Sequence, residues 1–242
     1  MNKEEFYSLY KDIFSKNGLG EYCSDETIEK MYQMSEYMLE VNRNMNLTAI
    51  TDTADVIAKH LADSVTVSKH IPENAKVCDV GCGGGFPSLP LAIARPDVTI
   101  VGIDSTEKRI NYVNESAKRL GLTNLTAITG RAEDISRTEL RESFDICTAR
   151  AVASLPILSE LCIPFVTLGG SFVAMKGKLT AEELTSATQK LGAEAISDSK
   201  VTNYSLFTLA GEEERNIIAL KKTHKTDPKY PRNYSQIKKK PL

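Results

Sequence analysis

Apolar residues in the first 70 positions recur at helical spacing. After Lys76 they gather into short runs separated by helical stretches. Between Ser24 and Met45 they stand at Ile28, Met31, Tyr32, Met38 and Leu39, one face of a helix. Ser24 and Asp25 provide its N-cap, with Glu26 and Glu29 near the positive end of the dipole. Val56, Ile57, Leu61 and Val65 mark a further helix before Pro72, and the polar segment from Asn46 to Thr51 reads as an exposed connection. From Lys76 onward the pattern predicts strands at 77–80, 98–103, 125–129, 144–149 and 171–175, with helices at 88–94, 106–120 (Gly121 as its C-cap) and 180–191. Two last strands, near 195–203 and 216–221, are expected to join through Gly211-Glu-Glu-Glu214. Such alternation implies an α/β fold with a doubly wound, mostly parallel sheet. The closing pair suggests an antiparallel edge strand.

Composition narrows the class. The chain has 242 residues, 41% hydrophobic and 26% charged, which suits one α/β domain with a modest extension. No stretch approaches the roughly 18 apolar residues of a membrane span. Met1 to Phe14 carries Glu4, Glu5 and Asp12 without an apolar run, so no signal peptide is expected there. The five cysteines include no C-x-x-C pair and none of the three histidines has metal spacing. Reduced core cysteines, no metal and a cytoplasmic location are therefore expected. The net charge of −2 argues against a nucleic-acid partner until it is divided: residues 221–242 hold eight Lys or Arg against Asp227 alone, or +7, which leaves −9 on the rest.

The strongest local signal is Asp79-Val-Gly81-Cys-Gly83-Gly-Gly85-Phe86, a strand running into alternate glycines and then a helix. Glycines let the backbone approach a ligand, and the turn sits at the carboxyl end of the first strand, where α/β sheets bind ligands. A dinucleotide loop, G-x-G-x-x-G, would need glycine where Phe86 stands. The spacing G-x-G-x-G, with an acid two residues before it, is the arrangement of S-adenosylmethionine binders. That cofactor has an amino group and a sulfonium cation, which Asp79 suits directly or through water. Asp104 ends the second strand, where a carboxylate can accept from both ribose hydroxyls. Gly130-Arg-Ala132-Glu133 follows the third strand, where Ala132 leaves room for an adenine ring and Glu133 can meet its polar edge. A lone glycine turn is often only a tight bend; signals at the ends of three successive strands point to a cofactor site.

The whole set of motifs resembles the RsmG/GidB family of bacterial methyltransferases, which methylate nitrogen 7 of a guanosine in 16S ribosomal RNA. The resemblance runs from Asn42 and Asn46-Leu-Thr48, through His60 with Asp63-Ser64, the Asp79–Pro90 loop, Asp104-Ser105, Lys108-Arg109 and Arg131-Ala-Glu133. It continues through Arg150-Ala-Val-Ala-Ser-Leu155 and Lys176-Gly177 to Lys229-Tyr-Pro-Arg232. Val41 stands where the family often has Trp, a packing difference. The resemblance implies a class I methyltransferase fold (Rossmann-like) with an N-terminal helical extension. It also implies S-adenosylmethionine as cofactor and Gly81, Phe86, Ala132, Glu133 and Arg150 as its contacts.

The residues add to this. Where amine-methylating enzymes carry Asn/Asp-Pro-Pro-aromatic, the chain reads Thr148-Ala-Arg150-Ala, and Cys147 lies inside a strand, where a core role suits it better than a nucleophile. Guanine nitrogen 7 has a free in-plane lone pair, so alignment, not a general base, is what the reaction requires. Asn46, His60, Asp63 and Arg150 are nominated as positioning groups, although a cap (Asn46), a buried histidine and a surface ion pair are the plain alternatives. Lys176 is expected to end the fifth strand facing the same crevice, as a contact for RNA phosphate, with a snorkelling end-of-strand lysine as the plain alternative. With its lysines and prolines, the tail is expected to be an extended arm in which Lys229, Tyr230 and Arg232 grip RNA. The expected organisation is a helical extension over 1–70, a cofactor-binding core over 71–222 and a basic tail over 223–242. The chain is expected to act as a monomer on 16S rRNA or the small subunit, away from membranes. A small-molecule methyltransferase, or a non-catalytic ribosome-binding module, stands as the competing reading.

Overall fold

The computed structural model describes residues 2–150, 153–181, 183–185, 187–197 and 200–242. Its centre is a seven-stranded sheet in the order β3-β2-β1-β4-β5-β7-β6. The strands are β1 (Lys76–Val80), β2 (Thr99–Asp104), β3 (Leu125–Thr129), β4 (Phe144–Arg150), β5 (Val166–Lys176), β6 (Val201–Thr208) and β7 (Gly211–Lys221). The first five are parallel, and β7 runs antiparallel to both β5 and β6. The antiparallel element is thus the β6–β7 hairpin, with β7 inside and β6 at the edge. The order reverses between β1 and β4, which pair through Asp79↔Thr148. That reversal opens the crevice where doubly wound sheets hold ligands.

At the N-terminus lie α1 (Lys3–Lys16) and α2 (Asp25–Met45). Their apolar stripes, Phe6, Tyr10, Ile13 and Phe14 on one and Ile28, Met31, Met34 and Met38 on the other, enter the same core cluster as Leu89 and Leu91. Ser24 caps α2 as expected, accepting from the Thr27 amide at 3.2 Å. The Asn17 side chain holds the exposed edge of β6, donating to the Phe207 carbonyl at 3.2 Å and accepting from its amide at 2.8 Å. Such cover blunts an edge open to mispairing.

The helix expected around Val56–Val65 forms, but as short α-turns, α3 (Thr53–Asp55) and α4 (Asp63–Val65), flanking a π-helical stretch Val56–Ala62. π segments are rare and gather at functional sites; this one carries His60. On the sheet lie α5 (Ser88–Ala94), α6 (Glu107–Arg119), α7 (Ala132–Ile135) and α8 (Leu155–Cys162).

The single helix expected over 180–191 is replaced by 3-10 turns at Glu183–Thr185 and Thr188–Leu191. Side-chain bonds hold these turns: Glu183 accepts from the Leu155 amide at 2.9 Å and Thr188 donates to the Glu194 carbonyl at 2.6 Å, competing with helical pairing. The hairpin strands sit later and reach further than expected, because Gly211-Glu-Glu-Glu214 is part of β7 and the turn falls at Leu209-Ala210. Part of the predicted 195–203 strand lies outside the described residues. Charged positions are tolerated in β7 because this hairpin faces solvent at the sheet margin.

The tail is the largest correction. It is not an extended arm: residues 226–231 lie against the body and lead into α9 (Tyr234–Lys239), capped by Asn233. Tyr230 and Ile237 are buried in the cluster that holds Leu158 and Leu161 of α8. The Glu160 carboxylate, fully buried, takes Arg232 Nε at 2.8 Å, Nη2 at 2.5 Å and its amide at 2.8 Å. A buried carboxylate needs such a partner. The charge arithmetic changes accordingly, since Arg232 and Lys222, the latter 2.8 Å from Glu142, neutralise acids of the body.

Candidate cofactor and substrate site

Three neighbouring cavities open at the carboxyl ends of the parallel strands. The first is walled by Gly81, Asp104, Ala132, Glu133 and Tyr234, among others. The second, with Gly81 and Asp104 again, adds Leu47, Gly83, Phe86, Arg109 and Arg150. The third, about 480 Å³, is lined by Lys59, His60, Asp63, Arg150, Lys176, Lys178, Tyr204, Glu213 and Arg215 together with apolar Ile50 and Met175. Gly81 and Asp104 are common to the first two, and His60 and Arg150 to the last two. Shared walls thus set the three side by side.

Local chemistry builds the middle of that row. Gly81, Gly83 and Gly85 all have positive φ, but their tasks differ. Gly83 lines the middle cavity, and a Cβ there would meet only ordinary contacts. A Cβ at Gly85 would overlap Leu89 Cδ1, so this glycine serves packing and lines none of the three cavities. Asp104 accepts from the Gly83 amide at 3.1 Å and from the Thr106 amide at 2.8 Å. Each carboxylate oxygen keeps a lone pair for a further donor. Asp79 lies beneath the loop, 1% exposed and off the cavity walls. The Ser88 hydroxyl donates to its Oδ2, while Oδ1 has no hydrogen-bond partner among the described residues. Burial pushes its carboxyl up to about 6, against the opposing pull of Ser88 and Arg150. From beneath the loop, such an acid can favour a cation in the cavity by its charge, across the loop or through water.

The wall between the middle and third cavities is a stack. The His60 ring lies on Phe86 at 4.4 Å and 15°, and the Arg150 guanidinium is 5.4 Å from the Phe86 centroid. His60 Nε2 is 2.7 Å from Thr48 Oγ1, which ties the Asn42–Thr48 loop to the site. Burial, and next the charge of Arg150, lowers the His60 pKa to about 4, so the ring is neutral near pH 7. Below it Asp63 is a hub. It accepts from Arg150 Nη1 at 3.0 Å and the Tyr204 hydroxyl at 3.0 Å, and Arg215 Nε lies 3.3 Å away. Arg150 also donates to the Lys59 carbonyl at 2.9 Å. Lys176 pairs with Glu183 at 2.8 Å.

Most nominated residues meet here, with clear exceptions. His60, Asp63, Arg150 and Lys176 share the third cavity; Gly81, Gly83, Phe86, Asp104, Ala132 and Glu133 line the other two. Asn46 does not join them: it is the exposed, left-handed C-cap of α2, and Asn42 makes the loop's bonds, exchanging two of 2.9 Å with Thr48. Tyr230 is 8% exposed, with its ring in the core. Lys229 and Arg232 border a separate groove beside Glu133. Sequence reasoning missed Tyr204, Glu213 and Arg215, brought in by the β6–β7 register Tyr204↔Arg215, and missed Tyr234. A lone arginine after three glutamates was the available signal for Arg215. Among the described residues there is no metal-binding cluster and no helix long and apolar enough to cross a membrane.

Comparison with known proteins bears on the reading. The family model described as rRNA small subunit methyltransferase G, GidB, matches residues 27–217. The protein of that name from Bacillus cytotoxicus is 40% identical over 246 residues, covering all of this chain and 99% of the relative. The Lactobacillus acidophilus protein of the same name is 38% identical, covering the whole of both. Solved structures share the fold at low identity. An O-methyltransferase from Bacillus cereus in complex with SAH matches with TM-score 0.52 and 17% identity, over 78% of this chain and 91% of that one. The [4+2]-cyclase SpnF matches with TM-score 0.53 and 15% identity, over 67% and 82%. A cyclase on this fold means that the site, not the fold, must carry the reaction.

Proposed function

Given that the chain belongs to the GidB family of rRNA small subunit methyltransferases, we propose that it transfers a methyl group from S-adenosylmethionine to nitrogen 7 of a guanosine in 16S rRNA. The observation that carries this reading is the row of adjoining cavities, which share Gly81 and Asp104 at one junction and His60 and Arg150 at the other. The cofactor supplies a methyl group activated on a sulfonium sulfur. In this reading Asp104 accepts ribose hydroxyls, Ala132 and Glu133 border the adenine, and Asp79 balances the amino group. The third cavity receives the base. No residue need take a proton from it, which agrees with a histidine that stays neutral at pH 7.

What the third cavity supplies is alignment and charge. Its lining holds five cations, Lys59, Arg150, Lys176, Lys178 and Arg215, against Asp63 and Glu213, while Asp55 and Glu183 pair Lys59 and Lys176 from outside it; so charged a lining suits a phosphate-bearing substrate better than an apolar small molecule. Asp63 fixes two of those guanidinium groups, so their donors are pre-set for a carbonyl oxygen or phosphate. Residues 1–70 act as the helical extension, 71–222 as the cofactor core and 223–242 as the tail of a monomeric, cytoplasmic enzyme. Tritiated S-adenosylmethionine incubated with small subunits, naked 16S rRNA and small-molecule extract tests the reading. Label on a guanosine that yields an aniline-sensitive site after borohydride is expected; label in the extract, or none, would overturn it.

Two expected outcomes arise here. S-adenosylhomocysteine keeps the amino group, so its affinity should fall about tenfold from pH 7.5 to pH 5, as Asp79, with its carboxyl near 6, takes up a proton. Calorimetry across that range checks this, and Asp79→Asn should flatten the profile. Lys238, Lys239 and Lys240 are exposed near the end of the tail. If they meet phosphates, changing all three to Ala should reduce the salt slope of rRNA binding by about 1 for each phosphate no longer neutralised. An unchanged slope in filter binding would remove them from the interface.

A further inference from the structure

The C-terminal segment is fastened to the same stretch of chain that forms the first cavity. Arg137 and Arg141, just beyond α7, reach the backbone of the tail. Arg137 donates to the carbonyl of Pro231, and Arg141 donates to those of Tyr230 at 3.0 Å and Thr226 at 2.9 Å. Arg232 is locked on buried Glu160 and also donates to the Lys240 carbonyl at 3.0 Å, which folds α9 back toward its own start. With Tyr230 and Ile237 anchored in the core, Tyr234 is delivered to the wall of the first cavity. Its neighbours there are Ile103, Ala132 and Leu161, and the Arg131 guanidinium lies 4.5 Å from its ring centroid. An apolar-walled recess with an aromatic side and a cation held on that aromatic is a setting for a flat purine.

We propose that the C-terminal segment is the outer wall of the adenine site, with Tyr234 a direct contact of the purine and the Arg232–Glu160 pair the pin that sets it. This rests on the cofactor reading above, and it gives the tail a task that its charge did not suggest. Arg232 is spent on Glu160 and Tyr230 on the core, so neither is presented to RNA in this docked form. Docking of the tail and occupation of the site then favour one another, since a ligand that touches the docked wall stabilises it.

Calorimetric titration with S-adenosylhomocysteine and with 5′-methylthioadenosine, which lacks the amino acid part, tests the assignment. Tyr234→Ala should weaken both ligands by about tenfold or more, the loss expected for an aromatic side chain against a base. Tyr234→Phe should bind within about twofold of the parent chain, since the ring is what matters. Arg232→Gln should weaken both ligands and speed tryptic cleavage after Lys229. In the parent chain, S-adenosylhomocysteine should slow that cleavage. If Tyr234→Ala binds both ligands as the parent does, the wall assignment is wrong while the cofactor reading stands. If the parent chain binds neither ligand, both fall. Protection of the tail that is independent of ligand would also overturn the proposal.

Discussion

Gly83→Asp is expected to leave a folded chain that has lost about a hundredfold or more of its affinity for S-adenosylhomocysteine. The position has φ +52°, a conformation that Asp adopts more readily than most residues, and its Cβ would meet only the Gly81 carbonyl at 3.7 Å and Asp104 Oδ2 at 4.0 Å. The fold therefore accepts the change at a backbone cost of about 1–2 kcal/mol. The ligand does not, because the new carboxylate projects from a cavity wall beside Asp104, on which both cofactor cavities depend. Gly85→Ala makes the contrast: its Cβ overlaps Leu89, so it should lower stability by about 1–3 kcal/mol. Calorimetry and thermal melting of the two variants separate these effects. Retained affinity in Gly83→Asp would dislodge the pocket assignment.

Asp63→Ala should show the other large effect, a loss of about 3–5 kcal/mol of stability, because it leaves the largely buried Arg150 with the Lys59 carbonyl but no carboxylate, and Arg215 with Glu213 alone. For a chain of this size that is a fall in melting temperature of roughly 6–20 °C. Turnover on rRNA should drop at least about a hundredfold, since the guanidinium groups lose their aim. Tyr204→Phe removes the hydroxyl's bonds to Asp63 and to Thr66 and should cost only about 1–2 kcal/mol. An Asp63→Ala chain that melts with the parent and methylates at its rate would mean that the hub positions nothing.

Parts of this site are legible in the sequence alone. The glycine loop, Asp104 and Ala132-Glu133 follow successive strands, and a parallel sheet gathers the ends of its strands by construction, so local pattern sufficed for the cofactor side. Gly85 shows the limit even there. Its spacing matches the loop motif, yet only the position of Leu89 reveals a packing role. Asn46 shows another: a polar residue after a helix reads equally well as a ligand group or a cap, and its left-handed backbone decides for the cap.

The substrate side was less legible because its residues are far apart in sequence. Asp63 meets Arg150, Tyr204 and Arg215 only through the π segment, the end of β4 and the register of a hairpin. The tail's docking is hidden from the sequence for a related reason. Its composition is that of a solvated arm, but Tyr230, Ile237 and Arg232 each find a partner supplied by α8, and burial of an acid such as Glu160 has no signature in local sequence.

By itself, then, the sequence determined the sheet-and-helix order, the cofactor loop and the family, because periodicity, turn chemistry and motif spacing act between near neighbours along the chain. The tertiary structure alone decided which charges face the substrate cavity and what the basic tail is for. Pairing and burial of charges depend on what long-range packing brings within a few ångströms, and that distance is not written in residue spacing.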